Sequence, residues 1–303
     1  MSVKLKGFID TITAKQLNVH SVRVLQHGQL LDEWHQNGDY RRVQHSISKS
    51  FTSMAVGLAV QEGLIHLDNT LGDFFPYDQS QPVQSPLPSP RELKLRDLLR
   101  MSSGHDSPPL WADERESLQE KDWAKHYMSL SLDRMPGEHF TYSSGDTFMI
   151  SAMLQKAVGQ TVKDYLIPRL FEPLGMHHIE WETSPLGITL GCAGLWLNNE
   201  ELSRFGQFLL QEGRWNDQQL VPSEWIEAAV HEQIKTTGDG DWGQGYGYQF
   251  WMCSHDAYRA DGAFGQFCIV LPSREAVISI NSQEENMQGI LNTVWDQILP
   301  ELA

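Results

Sequence analysis

A serine and a lysine three residues apart open a long apolar run, HSISKSFTSMAVGLAVQEG, at residues 45–63. Apolar residues recur in this run with helical spacing, which predicts a buried helix from about Ser46 to Gly63. Residues three apart share one helical face, so Lys49 lies beside Ser46. A buried lysine with a lowered pKa can take the proton of a serine hydroxyl and make it a nucleophile.

A simpler interpretation of the same pair is a helix N-terminus capped by hydroxyls, with the lysine reaching solvent. The Ser-x-x-Lys pattern is short enough to arise by chance, and alone it favours this simpler interpretation. Two points support the chemical one. A helix N-terminus stabilises the negative charge that develops on Ser46. A lysine on a buried helix is costly unless it is paired or used, and Lys49 is such a residue.

A tyrosine in HFTYSSGDTFMISAML, residues 139–154, is the second candidate. Tyr142 lies in a short extended segment before a helix that begins near Gly145. A surface tyrosine beside a helix N-cap would give the same pattern. In the chemical interpretation, the Tyr142 phenol takes the proton of Ser46 and passes it to the leaving group.

The third candidate is a strand-like run with two glycines, YRADGAFGQFCIVLP, at residues 258–272. A bulge or a turn explains Gly262 and Gly265 without any function. Alternatively, the strand lines a cleft, and Gly262 lets a substrate approach the backbone. The backbone N–H groups of Ala263 and Ser46 would then form an oxyanion hole.

In this order, the three motifs resemble those of the serine β-lactamase and penicillin-recognising superfamily. The likeness is greatest to class C β-lactamases and the related esterases and 6-aminohexanoate-dimer hydrolases. It also includes the segments LKLRDLLRMSSGHD, FEPLGMHHIEW, GCAGLWLNNEELSRFGQFLLQEGRWNDQQLVPSEW and YGYQFW, and it extends from about Val22 to Trp295. The resemblance implies that Ser46 is the nucleophile, Lys49 its activating partner and Tyr142 the general base and acid.

Two of the motifs depart from the pattern of that superfamily. Ser144 stands where the second motif, Tyr-x-Asn, usually has its asparagine. The third motif is usually Lys-Thr-Gly or His-x-Gly, and here it is Ala260-Asp261-Gly262. We expect Ser144, Asp261 and Gly262 to contact substrate. Because the cation that steers a substrate carboxylate is missing, the sequence predicts a preference for neutral or amine-bearing acyl compounds, unless an arginine such as Arg259 reaches the site.

The order of elements predicts an α/β (α+β) fold, and the resemblance implies that it is of the β-lactamase/transpeptidase-like type. Strands from both chain ends are expected to form one antiparallel sheet with flanking helices, and the middle of the chain a helical lobe. The expected division is 1–45 and 235–303 for the sheet with the terminal helices, and 46–234 for the lobe that carries the candidate residues. A cleft between them is the natural site. Three tryptophans lie in segments that can face it: Trp111, Trp196 and Trp251.

Composition and charge exclude several classes of function. The 303 residues carry a formal net charge of −16, which argues against nucleic acid or an anionic membrane as partner. No stretch approaches the roughly 20 apolar residues of a membrane span, and the N-terminus has no apolar signal segment. Three sparse cysteines predict free thiols and a cytoplasmic location. The proline- and serine-rich segment 76–92 is predicted to be a loop.

Other kinds of site find no support in the sequence. It has no Gly-x-Ser-x-Gly elbow, and its 12 histidines, with the pair His177-His178, fit no set of metal ligands. We therefore expect no metal and no cofactor. The leading hypothesis is a serine hydrolase that acts through an acyl-enzyme on an ester or amide of a small molecule. The alternatives are a β-lactamase or D-Ala-D-Ala carboxypeptidase-like penicillin-binding protein, and a non-catalytic binding or scaffold protein of the same fold. The oligomeric state stays open.

Overall fold

The computed structural model describes residues 4–76 and 86–303. Residues 77–85, which belong to the predicted loop at 76–92, lie outside the described residues. The strands are β1 (Val19–Gln26), β2 (Gln29–His35), β3 (Arg42–Gln44), β4 (Leu195–Leu197), β5 (Arg214–Trp215), β6 (Gln218–Gln219), β7 (Trp251–Met252), β8 (Tyr258–Gly262), β9 (Gln266–Leu271) and β10 (Ala276–Ser282). The helices are α1 (Lys6–Ala14), α2 (Ile47–Gln61), α3 (Leu71–Phe74), α4 (Leu95–Leu99), α5 (Ala112–Ser117), α6 (Trp123–Ser129), α7 (Ser144–Val158), α8 (Val162–Leu166), α9 (Asn199–Leu210), α10 (Ser223–Val230) and α11 (Met287–Gln297).

One six-stranded sheet joins the two ends of the chain. Its strand order is β2-β1-β10-β9-β8-β7, and each neighbouring pair is antiparallel. Strands β1 and β2 come from the start of the chain, and the other four come from residues 251–282. The sequence prediction of an antiparallel sheet built from both chain ends is therefore confirmed.

Strand β9 shows why the sheet is covered on both faces. Phe267, Ile269 and Leu271 point to one face and pack in the core that the terminal helices α1 and α11 share. Cys268 and Val270 point to the opposite face and belong to the core of the helical part. Because successive side chains of a strand alternate between faces, a strand covered on both sides is mostly apolar, and the one polar residue of β9, Gln266, is hydrogen-bonded to His45 N and Val43 O. All six residues of β9 are buried accordingly.

The helical part is centred on α2, which packs against α7 and α10. Helix α9 belongs to the 46–234 segment by sequence but packs on the sheet against β1, β9 and β10. The middle of the chain therefore covers one face of the sheet and also forms the helical layer beyond it. The division into 1–45 with 235–303 and 46–234 stays a prediction.

Helix α2 is buried on nearly all sides, although it is rich in hydroxyl side chains. Ser48 Oγ donates to Gln44 O at 2.9 Å, and Ser50 Oγ donates to Gln249 O at 2.8 Å. Thr52 Oγ1 donates to Gly191 O at 3.0 Å. Buried hydroxyls cost little when each one is hydrogen-bonded, so these contacts fix α2 between its neighbours.

A short two-stranded ladder ties the start of α2 to the 191–194 turn. Strand β3, just before α2, pairs with β4, so that Gln44 lies opposite Leu195. Gly194 N also donates to Gln44 O at 3.0 Å. This ladder brings the carbonyl of Cys192 next to the first turn of α2.

Two further properties concern the cysteines and the length of the helices. Cys192, Cys253 and Cys268 are free and buried, as the sequence predicts. Across residues 4–76 and 86–303, no helix combines the length and apolar character needed to cross a membrane.

Candidate active site

Ser46 is the N-cap residue of α2, at the junction of β3 and the helix. The residues before it are held by Gln266 of β9. The Gln266 side chain accepts from His45 N at 2.8 Å and donates to Val43 O at 2.8 Å. The sheet therefore fixes the backbone that presents the Ser46 hydroxyl.

Lys49 lies one helical turn after Ser46, and its side chain is 1% exposed. Lys49 Nζ donates to Ser46 Oγ at 3.2 Å, to Ser144 Oγ at 3.4 Å and to Cys192 O at 3.1 Å. An ammonium group has three donors, and each of them has an acceptor here. The amine is therefore directed at the Ser46 hydroxyl.

Burial lowers the pKa of Lys49 to about 8. The positive charge of Arg115 lowers this pKa further, whereas the negative charges of Asp146 and Asp261 raise it. Removal from water disfavours the ammonium form, and nearby charges then adjust the balance. An amine with a pKa near 8 is neutral in a useful fraction of molecules at neutral pH, so Lys49 can accept a proton from Ser46.

Tyr142 lies beside this pair, in the segment just before α7. Its ring centroid is 5.0 Å from Lys49 Nζ and 5.4 Å from the ring of Trp251. Burial raises the pKa of the Tyr142 phenol, and a hydrogen bond with the Ser46 side chain partly opposes the shift. A phenol with a raised pKa keeps its proton at neutral pH, so Tyr142 is a proton donor in the resting site.

The helix that follows Tyr142 carries a buried acid that the sequence analysis missed. Asp146 Oδ1 accepts from Ser103 Oγ and from Tyr127 OH, each at 2.9 Å. Its other oxygen, Oδ2, has no hydrogen-bond partner among the described residues. Burial raises the pKa of this carboxyl to about 7. The Ser-Gly-Asp sequence directly after Tyr142 and Ser143 was the available signal. An aspartate is almost never fully buried unless it is paired, so one in the first turn of a buried helix indicates specific partners.

Strand β8 carries Asp261 together with its own counter-ion. Arg259 is fully buried and its Nε donates to Asp261 Oδ2 at 2.8 Å. Arg259 Nη1 donates to Asp241 O at 3.0 Å and to Cys253 Sγ at 3.0 Å. The sequence analysis named Arg259 as an arginine that could reach the site and expected Asp261 to contact substrate. The structure instead pairs the two with each other.

The end of β8 runs past the start of α2. A Cβ added at Gly262 would lie 2.7 Å from Gln266 Oε1, the atom that accepts from His45 N, but at an ordinary contact distance of 3.4 Å from Ile47 Cγ1. Ala263 is exposed in the turn that follows, before Phe264 with φ 63°. Its N–H as the second donor of an oxyanion hole stays a prediction, as does substrate contact by Gly262.

The three tryptophans proposed for the cleft differ in position. Trp111, at the start of α5, is 40% exposed, and its ring centroid is 6.3 Å from that of Tyr142. Trp251 packs on the same tyrosine but is buried. Trp196 lies opposite Val43 on the β3–β4 ladder and lines a cavity of about 230 Å³ together with His45 and Gln266. Trp111 is therefore the tryptophan with both exposure and a contact with Tyr142.

A cation from α5 completes the surroundings of Lys49. Arg115 Nη1 donates to Cys192 Sγ at 3.4 Å, and the carbonyl of that same cysteine accepts from Lys49. The sequence analysis did not single out Arg115 or Cys192. Among the described residues, Arg115 is therefore a cation without an ion-pair partner near Lys49, and the expected preference for neutral or amine-bearing acyl compounds stays a prediction.

Comparison with known proteins places this arrangement in a family. The family model described as Beta-lactamase matches residues 15–299. The chain belongs to the beta-lactamase family. Its members and structural neighbours include hydrolases, so a hydrolase is the class of enzyme that this membership supports.

Several solved structures share the beta-lactamase-family fold. A Bacillus anthracis protein described as a 6-aminohexanoate-dimer hydrolase has a TM-score of 0.77 and 21% identity, with 95% of this chain and 80% of that chain covered. The octameric penicillin-binding protein homologue from Pyrococcus abyssi has a TM-score of 0.75 and 18% identity, with 100% and 79% covered. A penicillin-binding protein from Bacillus halodurans has a TM-score of 0.74 and 14% identity, with 95% and 99% covered. At these identities the likeness shows the fold.

One curated relative matches part of the chain. It is an Escherichia coli (strain K12) protein described as a D-alanyl-D-alanine carboxypeptidase, 23% identical over 132 residues. The match covers 42% of this chain and 30% of that protein, so it spans less than a third of the relative's length.

Within the described ranges, no group of three or more His, Cys, Asp and Glu side chains is arranged to hold a metal ion. The groups near Ser46 are instead the Lys49 amine, the Tyr142 phenol and the Ser144 hydroxyl, and the Arg115 guanidinium lies beyond Cys192. This set suits proton transfer and the binding of an anion.

Proposed function

We propose that this beta-lactamase-family chain is a serine hydrolase that cleaves an ester or amide of a small molecule through an acyl-enzyme on Ser46. The observation that carries the proposal is the 3.2 Å contact between the buried Lys49 Nζ and Ser46 Oγ. A lysine whose pKa burial lowers to about 8 is a base suited to neutral pH. A structural role for Lys49 alone would give no reason to bury a cation whose pKa falls.

The proposed reaction begins with acylation. Ser46 Oγ attacks the carbonyl carbon while neutral Lys49 takes its proton, and the carbonyl oxygen becomes an oxyanion. The N–H groups of Ser46 and Ala263 are the proposed donors to that oxyanion. The bond to the leaving group then breaks. Tyr142 gives its proton to the leaving group and regains one from Lys49, which leaves both residues as they began.

Deacylation repeats the same proton transfers with water as the nucleophile. Water attacks the Ser46 ester and gives up a proton to Lys49, and the Ser46–carbonyl bond breaks. Lys49 returns that proton to Ser46 Oγ, and the product leaves as a carboxylic acid. The raised pKa of Tyr142 fits it better as the donor than as the first base, so Lys49 takes that step in this proposal. The three free cysteines support a reducing compartment, the cytoplasm, for the reaction.

Covalent labelling tests the nucleophile. A fluorophosphonate probe is expected to label the wild type at Ser46, and p-nitrophenyl butyrate is expected to be hydrolysed. Ser46→Ala should abolish both, whereas the control Ser223→Ala should change neither. Benzylpenicillin and a D-Ala-D-Ala peptide belong in the same panel, because penicillin-binding protein homologues share the fold. Absence of labelling in the folded wild type would favour a non-catalytic binding protein.

Replacement of the lysine tests its role as base. Lys49→Arg keeps a positive charge, but a guanidinium does not deprotonate in proteins. We expect kcat/KM for the ester to fall by about 10²–10⁴-fold, the range typical of a lost general base. A folded Lys49→Arg protein that retains most of its turnover would contradict proton transfer by Lys49.

A further inference from the structure

The guanidinium of Arg115 is anchored on one side only. Its Nη1 donates to Leu110 O at 3.0 Å and to Cys192 Sγ at 3.4 Å. Within residues 4–76 and 86–303, no acceptor is in hydrogen-bond range of its Nε or Nη2. A guanidinium has five donors in a planar fork, and Nε and Nη2 form the edge that matches the two oxygens of a carboxylate. Two contacts therefore hold this edge in position, and it stays free.

The charge of Arg115 also has no counter-ion in the described part of the chain, where no carboxylate oxygen lies within 4.0 Å of it. The nearest acid in sequence, Glu114, is engaged elsewhere: its two oxygens accept from Leu110 N and contact His126 Nε2. Arg115 is half-buried, so its positive charge is partly shielded from water yet accessible to a ligand.

The guanidinium that carries this edge lies near the reacting groups. Cys192 contacts Arg115 through its sulfur and Lys49 through its carbonyl oxygen. A single residue therefore separates the guanidinium from the amine that activates Ser46. Trp111, four positions before Arg115, offers an exposed flat apolar surface next to Tyr142. A substrate seated at Ser46 can thus contact a ring and a cation on the same element, α5.

We propose that the free edge of Arg115 binds a carboxylate on the substrate, so that this site selects acyl compounds that carry an anionic group. The inference rests on the proposed function and names its substrate class. The short apolar link between the carboxylate and the scissile carbonyl packs on Trp111. Long-range steering contributes little, because the whole chain carries −16 and would repel an anion. The selectivity therefore comes from the short-range pair of the Arg115 guanidinium and the substrate carboxylate.

The test compares two esters that differ only in charge. We choose mono-p-nitrophenyl adipate and its methyl ester, with release of p-nitrophenol as the readout and Ser46→Ala as the background. The wild type should prefer the acid over the methyl ester in kcat/KM by about tenfold, which corresponds to about 1.4 kcal/mol. The preference should shrink with added salt, because the pair is partly exposed.

Arg115→Gln should abolish this preference, and Arg115→Lys, which keeps the charge without the fork, should retain part of it. The ratio of the two kcat/KM values cancels any change in the protonation of Lys49. Arg214→Gln, on the β5–β6 hairpin, is the control for a lost positive charge and should leave the ratio as in the wild type. An unchanged ratio in Arg115→Gln overturns the proposal.

A binding measurement separates this inference from the proposed function. Ser46→Ala protein is titrated with the monoanilide of adipic acid and with its methyl ester by calorimetry. The acid should bind about tenfold more tightly, and the added Arg115→Gln change should remove the difference. Equal affinities overturn the carboxylate site even if Ser46 is the nucleophile. A preference in binding without labelling of Ser46 overturns the proposed function but supports the site.

Discussion

Two arginines lie near the residues of the proposed reaction, Arg115 near Lys49 and Arg259 near Tyr142, and their surroundings differ. Arg259 on β8 is fully buried, ion-paired with Asp261 and stacked on Trp242, with its charge centre 4.7 Å from that ring. Arg115 on α5 is half-buried and makes no ion pair with any described residue. In a buried pair each charge is already matched by the other, so Arg259 is not available to bind a second anion. The α5 side has an unmatched cation.

The comparison shows that the motif position and the functional charge need not coincide. Ala260-Asp261-Gly262 stands at the third motif of the resemblance, and here that stretch belongs to a strand whose buried arginine and aspartate pair with each other. Arg115 comes from a short helix about 145 positions earlier in the chain, where no motif marks it. In this proposal the β8 arginine has a structural role and the α5 arginine binds the ligand.

The largest expected effect is on stability. Arg259→Met leaves the carboxylate of Asp261 buried without a partner, and breaking a buried pair in this way costs about 3–5 kcal/mol. Arg115→Met removes a partly exposed side chain with two contacts, so its cost should be about 1 kcal/mol or less. Urea unfolding of both variants, with the midpoint and slope fitted together, gives the two free energies of unfolding.

A double variant separates the lost pair from a packing defect. In Arg259→Met/Asp261→Leu both charges are gone, and replacing a buried pair by apolar residues is often neutral or stabilising. The double variant should therefore recover most of the loss. If Arg259→Met is no less stable than Arg115→Met, the contrast between the two arginines is wrong.

A second prediction concerns the anchor that β9 gives to the nucleophile. Gln266→Met keeps the volume but removes the hydrogen bonds to His45 N and Val43 O. Small displacements of reacting groups are expensive, so kcat/KM for the neutral ester should fall by roughly ten- to a hundredfold. Gln218→Met, on the exposed strand β6, is the matched control. Wild-type turnover in Gln266→Met would show that the sheet does not position Ser46.

The parts of the site that the sequence predicts depend on short-range spacing. Ser46 and Lys49 share a face of α2 because three residues make nearly one helical turn. Tyr142 was found through a motif and the helix that follows it. The sheet was predicted because its strands are apolar and bounded by turns, as in β9 and β10. The pairing of Arg259 with Asp261 also had a local signal, since residues two apart lie on one face of a strand.

The remaining parts depend on tertiary packing. Arg115 and Cys192 are 77 positions apart in the sequence but are in contact. Cys192 also contacts Lys49, because the β3–β4 ladder holds the 191–194 turn next to α2. The contacts of Asp146 with Ser103 and Tyr127 join three separate segments. A period of 2 or 3.6 residues predicts strands and helices, but it does not predict contacts between segments that are distant in the sequence. The charges that set the pKa of Lys49 therefore could not be listed from the sequence.

The smallest expected effect is on the pH dependence of the reaction, and it compares two charges that act on one amine. Burial lowers the pKa of Lys49 to about 8, Arg115 lowers it further and Asp146 raises it. Only neutral Lys49 accepts the proton of Ser46, so kcat/KM for the neutral ester should rise with pH and level off above about 8. Arg115→Gln removes a positive charge, so the pKa of Lys49 rises. The rising limb of the pH profile of kcat/KM then moves to higher pH. Asp146→Asn removes a negative charge, so the pKa falls and the limb moves to lower pH.

The two shifts must have opposite signs if both charges act through Lys49. Asp146 has a pKa of about 7, so its carboxylate is mostly ionised in the pH range where Lys49 titrates. Removing this negative charge therefore changes the pKa of Lys49. Asn at position 146 can still accept from Ser103 and Tyr127, which keeps the packing of α7. Arg214→Gln and Asp217→Asn, both on the β5–β6 hairpin, change the net charge by the same amounts and should leave the limb in place. Shifts of the same sign, or equal shifts in the hairpin controls, would mean that the limb reports overall charge and that Lys49 is not the titrating base.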